Sequence, residues 1–357
     1  MASMTIKELA HICGVAVSTA SRAMNDRTGV SQETRARILE AAAQHGYVPN
    51  SSARSLKITS TRAISVIIQG EPSRLLINVL QLLEEEFAAA GFTTTLTHVP
   101  VRRAHAATVE RIVREGKFGG VVFLGRYGDG EPAGSSELTR QLAEIDAPMI
   151  FCTTSDYSGT SYPHSSVSVD DYAGGLELTN HLTALGHRRI AFVGGDSEQG
   201  RGHAWALRLA GYRSALESKG ISVDPGLVIA PSLPAQLYTV ENGYESTRAW
   251  LSRGRVDATA LIASCDAVAV GAARALHEAG IAVPADCSLM GFDGLDIGHY
   301  LVPRLATIAQ PLSEIAAATA RVLLATIDDP ARPTEQVRIR GRFLPGESVT
   351  KPHPAAV

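Results

Sequence analysis

Between residues 17 and 25 the sequence sets Val17, Ser18, Thr19, Ser21, Arg22 and Asn25 in a run of otherwise small residues, Val-Ser-Thr-Ala-Ser-Arg-Ala-Met-Asn. Hydroxyls, an amide and a guanidinium on so slim a stretch can approach phosphates and base edges without steric conflict. Arg22 has the fork that pairs with guanine O6 and N7, which discriminates against the wrong base by about 1–3 kcal/mol. A three-helix protein-interaction module with a solvated Ser/Thr face would use the same residues, and periodicity alone leaves the two readings level. Reactive constellations fare worse. Gly195-Asp196-Ser197-Glu198-Gln199-Gly200-Arg201-Gly202 has the glycine spacing of a P-loop but neither its Lys nor its Ser/Thr, so nucleotide hydrolysis is rejected. No GxSxG, HExxH or Cys/His metal spacing occurs, and His181 and His187 read as surface or packing residues. No catalytic residue, metal or cofactor is expected.

The elements that must carry the first run are short helices. Thr5-Ile6-Lys7-Glu8 fits a capping box, opening a helix to about Cys13 with Ile6, Leu9, Ala10 and Cys13 on one face. Gly14 supplies a left-handed turn, a second helix runs through Ser18–Asn25, and a third starts at Ser31 and stops at Gly46. Helix, tight turn, helix and third helix is the plan of a helix-turn-helix DNA reader. Charge agrees with it. Residues 1–60 carry seven Lys/Arg against four Asp/Glu, net +3, whereas the whole chain is −3 and the remainder therefore −6. A basic head on an acidic body suits an anionic polymer that meets the head alone.

Thr5-Ile6-Lys7-Glu8-Leu9-Ala10, Gly14–Asn25, Val30-Ser31 and Gly46-Tyr47-Val48-Pro49-Asn50 together resemble the LacI/GalR family of bacterial transcriptional regulators, without a gap through residue 56. The resemblance implies that Val17, Ser18 and Arg22 read bases in the major groove while Thr5, Thr19, Ser21, Asn25 and Ser31 hold the DNA backbone. The family usually has Ser where Ala16 stands, and losing that cap costs about 1 kcal/mol of local helix stability. Residues 49–57 resemble the family's hinge helix, too short to persist alone in water, which orders when two copies pair on DNA. There Asn50, Ala53 and Leu56 are the expected contacts, with Leu56 the wedge that opens a base step from the minor groove.

From Arg62 onward short apolar strands alternate with amphipathic helices, the signature of a doubly wound α/β body. Strands are expected at 63–68, 119–124, 148–151, 189–193, 258–263 and 287–292, and helices at 75–90, 171–185, 208–219, 241–253 and 266–279, several ending at Gly91, Gly186, Gly220 and Gly280. The Ser/Thr/Tyr/Gly/Pro-rich stretch 153–166 reads as a crossing between two lobes. Val167-Ser168-Val169-Asp170, 185–194, 284–293 and 303–311 resemble the family's periplasmic-binding-protein type body. The expected organisation is a helix-turn-helix domain over 1–48, a hinge over 49–61, a bilobed body over 62–345 and a tail over 346–357. Lobe one would take 62–152 and 294–325, and lobe two 166–292 and 326–345.

Ligands of open α/β sheets lie beyond the carboxyl ends of the strands, which points to Gln69, Asp266 and Asp293. The resemblance adds Arg208 and Asp266 as a facing donor and acceptor for polar effector groups, and Tyr238 as a ring-stacking aromatic. Asp293, at the return crossing, is expected as ligand or hinge. Where the family commonly shows Asp-x-x-Asn-Pro-Phe, this chain reads Gln69-Gly70-Glu71-Pro72-Ser73-Arg74.

Composition bounds the rest: 45% apolar and 19% charged residues exclude a disordered chain, and no apolar run is long enough to cross a bilayer. Cys13, Cys152, Cys265 and Cys287 show no CxxC spacing, so no disulfide scaffold is expected and the cytoplasm is the natural address. The expected function is a transcriptional regulator, a repressor, that binds a pseudo-palindromic duplex operator as a homodimer under control of a sugar-like effector. The rival is a sugar-binding or sugar-processing α/β protein whose head is only an interaction module; salt-dependent duplex binding separates them.

Overall fold

In the computed structural model Leu9, Cys13, Ala23, Ile38 and Ala42 close a small core between three helices, α1 (Ile6–Ile12), α2 (Val17–Met24) and α3 (Gln32–Gln44). The structure describes residues 6–24, 29–45, 61–69, 72–99, 112–113, 115–116, 118–125, 145, 147–154, 163–195, 204–234, 236–254 and 257–352. Gly14 turns the chain between α1 and α2 with φ +62°, the left-handed conformation expected of it. Internal contacts divide the chain into two units, 1–61 and 62–357.

The second unit holds two six-stranded sheets. Its elements in chain order, counted among the described residues, are β1 (Thr61–Gln69), α4 (Arg74–Ala89), β2 (Thr93–Val99), β3 (Phe118–Leu124), β4 (Met149–Cys152), β5 (Ser165–Val169), α5 (Asp171–Leu185), β6 (Ile190–Val193), α6 (Ala204–Ser218), β7 (Val228–Ile229), α7 (Val240–Leu251), β8 (Ala260–Ala263), α8 (Asp266–Glu278), β9 (Ser288–Asp293), β10 (Ala306–Ala309), α9 (Leu312–Asp328), β11 (Gln336–Ile339) and β12 (Arg342–Leu344). One sheet runs β11-β5-β4-β3-β1-β2 and the other β12-β10-β9-β8-β6-β7. Described pairings are parallel except β10 with β12, as βαβ crossovers require. Helices end where expected: Gly91, Gly186, Gly220 and Gly280 all have positive φ.

Sheet membership moves the lobe boundaries. β5 pairs with β4 and β11, so it belongs to the first lobe, and the chain crosses at Asp170 rather than within 153–166. β10 pairs with β9, which keeps residues 294–309 in the second lobe and puts the return at Gln310-Pro311. A third crossing follows between β11 in the first sheet and β12 in the second, at Arg340-Gly341. The crossings lie side by side: the Asp170 N–H donates to the Ile339 carbonyl at 2.8 Å, and a Cβ at Gly341 would stand 2.5 Å from Ile308 and 3.4 Å from Val169. The expected tail is partly structural. Leu289 N–H donates to the Ser348 carbonyl at 2.8 Å, Ala306 N–H to Ser348 Oγ at 2.9 Å, and the buried His187 Nε2 lies 2.8 Å from the Thr350 carbonyl. Those bonds stitch residues 348–350 onto the second sheet.

Two pairs of glycines bring the second lobe's helices together. A Cβ at Gly175 would lie 2.1 Å from the Arg208 carbonyl, and one at Gly211 2.2 Å from the Tyr172 carbonyl, so α5 and α6 touch backbone to backbone. Gly243 and Gly271 do the same for α7 and α8, at 2.2 Å from Val268 O and 2.0 Å from Val240 O. Gly211→Val is therefore expected to destabilise the second unit by roughly 1–3 kcal/mol or more, read as a lowered urea midpoint. An unchanged midpoint would contradict this contact.

Candidate functional site

On the first unit, α2 turns Ala20 and Ala23 into the core, which faces the opposite stripe outward. Val17, Ser18 and Arg22 stand exposed there, with Thr19 and Ser21 half-buried beside them. Ser31 is exposed and caps α3, its Oγ accepting from Thr34 N–H at 3.2 Å. The Ala16 carbonyl accepts from Thr19 and Ala20 N–H at 2.9 and 3.0 Å, so Ala16 occupies the cap position of α2 with no side chain to fill it. Thr5, Asn25, Asn50, Ala53 and Leu56 lie outside the described residues, as do residues 49–60 of the expected hinge and residues 196–202 of the glycine-rich stretch.

On the second unit the decisive side chain is Arg208, on the first turns of α6 and 4% exposed. Its Nε donates to Asp171 Oδ1 at 2.8 Å, Nη1 donates to the Ser264 carbonyl at the end of β8, and Nη2 lies 3.5 Å from Asp293 Oδ1. The guanidinium carbon sits 3.6 Å from the centroid of the Phe292 ring, which covers one face of the cation. Burial opposes this charge, but Asp171 and Asp293 outweigh it and hold Arg208 above its ordinary pKa. Burial likewise pushes Asp171 up, to about 6, against the pull of Arg208, and raises Asp293.

Asp293 ends β9 with φ +116°, a conformation a side chain resists at a cost of order 1–3 kcal/mol. It is held there from both sides. Its Oδ1 accepts from Gln310 Nε2 at 2.8 Å, and its carbonyl accepts from Gln310 N–H at 3.1 Å. Because Gln310 is the return crossing, Asp293 ties the Arg208 cluster to the strand that leaves the lobe. Tyr238 is half-buried ahead of α7; burial raises its pKa, and the nearby Arg208 cation offsets only part of that rise. Gln69 ends β1, half-buried, in the sheet of the first lobe, whereas the Arg208 cluster is built on the second.

Asp266 does not fit the expected role of ligand grip. It is wholly buried at the first position of α8, after Cys265 as the cap residue. Oδ1 accepts from the Thr307 hydroxyl at 2.6 Å and Oδ2 from Leu295 N–H at 2.7 Å, under β9 at the one place where a Cβ on Gly291 would fall 2.2 Å from Oδ1. It braces the turn after Asp293. Asp171, Phe292, Ser264 and Gln310 were not among the residues singled out in the sequence. Only the doubled acid at Asp170-Asp171 hinted at one of them: Asp170 caps α5, accepting from Ala173 N–H at 3.0 Å, which leaves Asp171 to face inward. Among the described residues no group of His, Cys, Asp or Glu could hold a metal ion, and no helix is long and apolar enough to cross a membrane.

Residues 5–50 match the profile of bacterial regulatory proteins of the lacI family, and residues 179–349 that of a periplasmic binding protein-like domain. Over 328 residues the chain is 30% identical to the HTH-type transcriptional regulator MalR of Clostridium butyricum, covering 91% of this chain and 93% of that one. The chain belongs to the LacI family of transcriptional regulators. LacI-family members are DNA-binding regulators, not enzymes. The fold is that of the lac repressor dimer bound to operator and the anti-inducer ONPF, with TM-score 0.83 at 23% identity over 98% of this chain and 100% of that one. A LacI-family regulator from Enterococcus faecium with bound ribose matches with TM-score 0.65 at 25% identity, over 81% of this chain and 99% of that one.

The buried acids of this LacI-family body make its stability depend on pH. Burial, then the neighbouring Asp293 charge, pushes Asp266 up to about 8 from an ordinary value of 3.8, despite bonds from Thr307 and Leu295. A raised pKa means that the folded state holds a proton the unfolded state has lost, so the stability it confers is full below about pH 4 and drains away as pH rises toward 8. Relative to Asp266→Asn, the wild-type melting temperature is expected to fall steadily from pH 5 to pH 8 and to run parallel above that. Parallel curves throughout would contradict it.

Proposed function

We propose that the protein is a repressor that reads a pseudo-palindromic operator as a homodimer and is controlled by a sugar-like effector held between its lobes. The observation that carries the DNA-reading part is the outward stripe of α2, where Val17, Ser18 and Arg22 stand exposed on a basic three-helix unit. One such helix spans a half-site only, so two-fold pairing is what makes a full operator readable. On the body, Ile77 and Leu96 of the first lobe and Ile297, Tyr300 and Val302 of the second are exposed apolar side chains, with Val302 98% exposed, and a second copy would cover them. The sugar-like effector is supported by the ribose in the Enterococcus faecium relative and by the polar, charged character of the Arg208 cluster. Gln69 on the first lobe and Arg208, Tyr238 and Asp293 on the second are the proposed effector residues, with Asp266 as their brace.

Control would pass through the three adjacent crossings. Effector contacts on the Arg208–Asp293 cluster bear on Gln310, and a changed angle between the lobes would alter how two copies present residues 50–57 to DNA. Leu56 is the proposed wedge. Coupling of this kind is typically about 1–3 kcal/mol and is reciprocal, so operator must change effector affinity by the same factor.

Operator fragments selected from genomic DNA test the reading by fluorescence anisotropy. Specific affinity is expected to fall steeply and log-linearly with salt, and Leu56→Ala to weaken specific more than non-specific binding. Failure to retain any fragment at low ionic strength, with or without a broad metabolite mixture, would overturn it.

A further inference from the structure

We propose that Asp171 is a specificity-determining residue: it leaves the second-lobe half of the effector site with surplus negative charge, so that the site takes uncharged polyols and turns away their phosphorylated or carboxylated counterparts. This rests on the reading that the effector binds at the Arg208 cluster. An arginine in a ligand site ordinarily invites an anion, because its fork matches phosphate and carboxylate. Here that invitation has been answered from within. Arg208 is the one cation of the described cluster, and it faces Asp171 at 2.8 Å and Asp293 at 3.5 Å, with side chains 0% and 8% exposed. One positive charge against two carboxylates leaves the group negative. Of the five guanidinium N–H donors, three already have partners: Asp171, the Ser264 carbonyl and Asp293.

The helix terminus is spoken for as well. The N-terminus of α5 would attract an anion through its free N–H groups, but the Asp170 carboxylate accepts from Ala173 N–H at 3.0 Å and Asp171 stands on the first turn. An arriving phosphate would meet two carboxylates where it needed donors.

A second observation points the same way. Asp171 Oδ2, Gln310 Oε1 and Ser264 Oγ are buried with no hydrogen-bond partner, and each belongs to a residue in direct contact with Arg208 or Asp293. Two of these atoms can only accept, and the hydroxyl can accept or donate. They call for a ligand that brings O–H or N–H donors. A sugar hydroxyl does so and also accepts from the remaining Arg208 N–H groups; a fully ionised phosphate brings acceptors alone. Inside a low-dielectric site the like-charge penalty is far larger than in water.

Calorimetric titration of the full-length protein with paired probes tests this: ribose, glucose, galactose, cellobiose and maltose, each beside its phosphate ester. The expected result is that at least one neutral sugar binds while its ester binds ten-fold or more weakly. Asp171→Asn keeps an oxygen for Arg208 Nε but removes the charge, and is expected to narrow that ratio at least ten-fold; Asp171→Glu, which retains the charge, is expected to preserve the preference for the neutral form. An ester that binds wild type as tightly as its parent sugar overturns the charge inference while leaving the sugar site in place, and this comparison needs no variant to fold. A ratio unchanged in a folded Asp171→Asn protein overturns the role of Asp171. Silence of every probe in all three proteins overturns the sugar-site reading and the inference with it.

Discussion

A guanidinium buried between two carboxylates is the interaction on which the second unit is organised. Removing one of the three charges would strand the others in a medium that solvates them poorly, so the triad is far more costly to break than it is stabilising to form. Keeping it requires several features at once. α5 and α6 must touch through Gly175 and Gly211 for Arg208 to reach Asp171, and Phe292 must present its ring to the cation. β8 must end just before Ser264 so that the Ser264 carbonyl meets Nη1. These come from four separate stretches of chain, which makes the cluster a reporter of the whole lobe's geometry.

The same cluster sits where movement would matter. Asp293 is held at positive φ by Gln310, the first residue of the return crossing, and Asp266 fixes the following turn through Leu295 and Thr307. The other two crossings, at Asp170 and Gly341, are bound to each other's neighbours by Asp170 N–H to Ile339 O. On the proposed reading, a ligand that redistributed hydrogen bonds around Arg208 would therefore pull on the residues of these crossings. Packed elements of this kind shift between discrete arrangements rather than deforming smoothly.

Much of this was legible in the sequence where one signal dominated. The turn at Gly14, the cap at Ser31, and the six principal strands and five helices follow from periodicity, caps and glycine stops, and they stand within a few residues of where they were expected. The crossings were misread because β5, Ser-Ser-Val-Ser-Val, hides its burial: two of its three serines are satisfied by the β11 edge, Ser165 Oγ accepting from Glu335 N–H at 3.1 Å and Ser166 bonding Gln336, while Ser168 Oγ is buried without a partner, so a fully buried strand carries a loop's composition. β11 and β12 are short and half-exposed, with no apolar run to betray them. The resemblance pointed to Arg208 and the end of a strand to Asp293, and the fold brings the two together, but neither signal shows which way Asp266 turns, since that depends on the absent side chain of Gly291. Asp171 was hidden behind Asp170, because only the fold reveals which of two adjacent acids caps the helix and which faces inward.

Arg208 and Asp171 act as one buried unit. A double-mutant cycle with Arg208→Met and Asp171→Asn, measured by urea unfolding of the full-length protein, tests it directly. Strong non-additivity is expected: each single change costs stability and the second recovers part of the loss, with a coupling above about 1 kcal/mol. Two effects that simply add to within about 0.5 kcal/mol would contradict it.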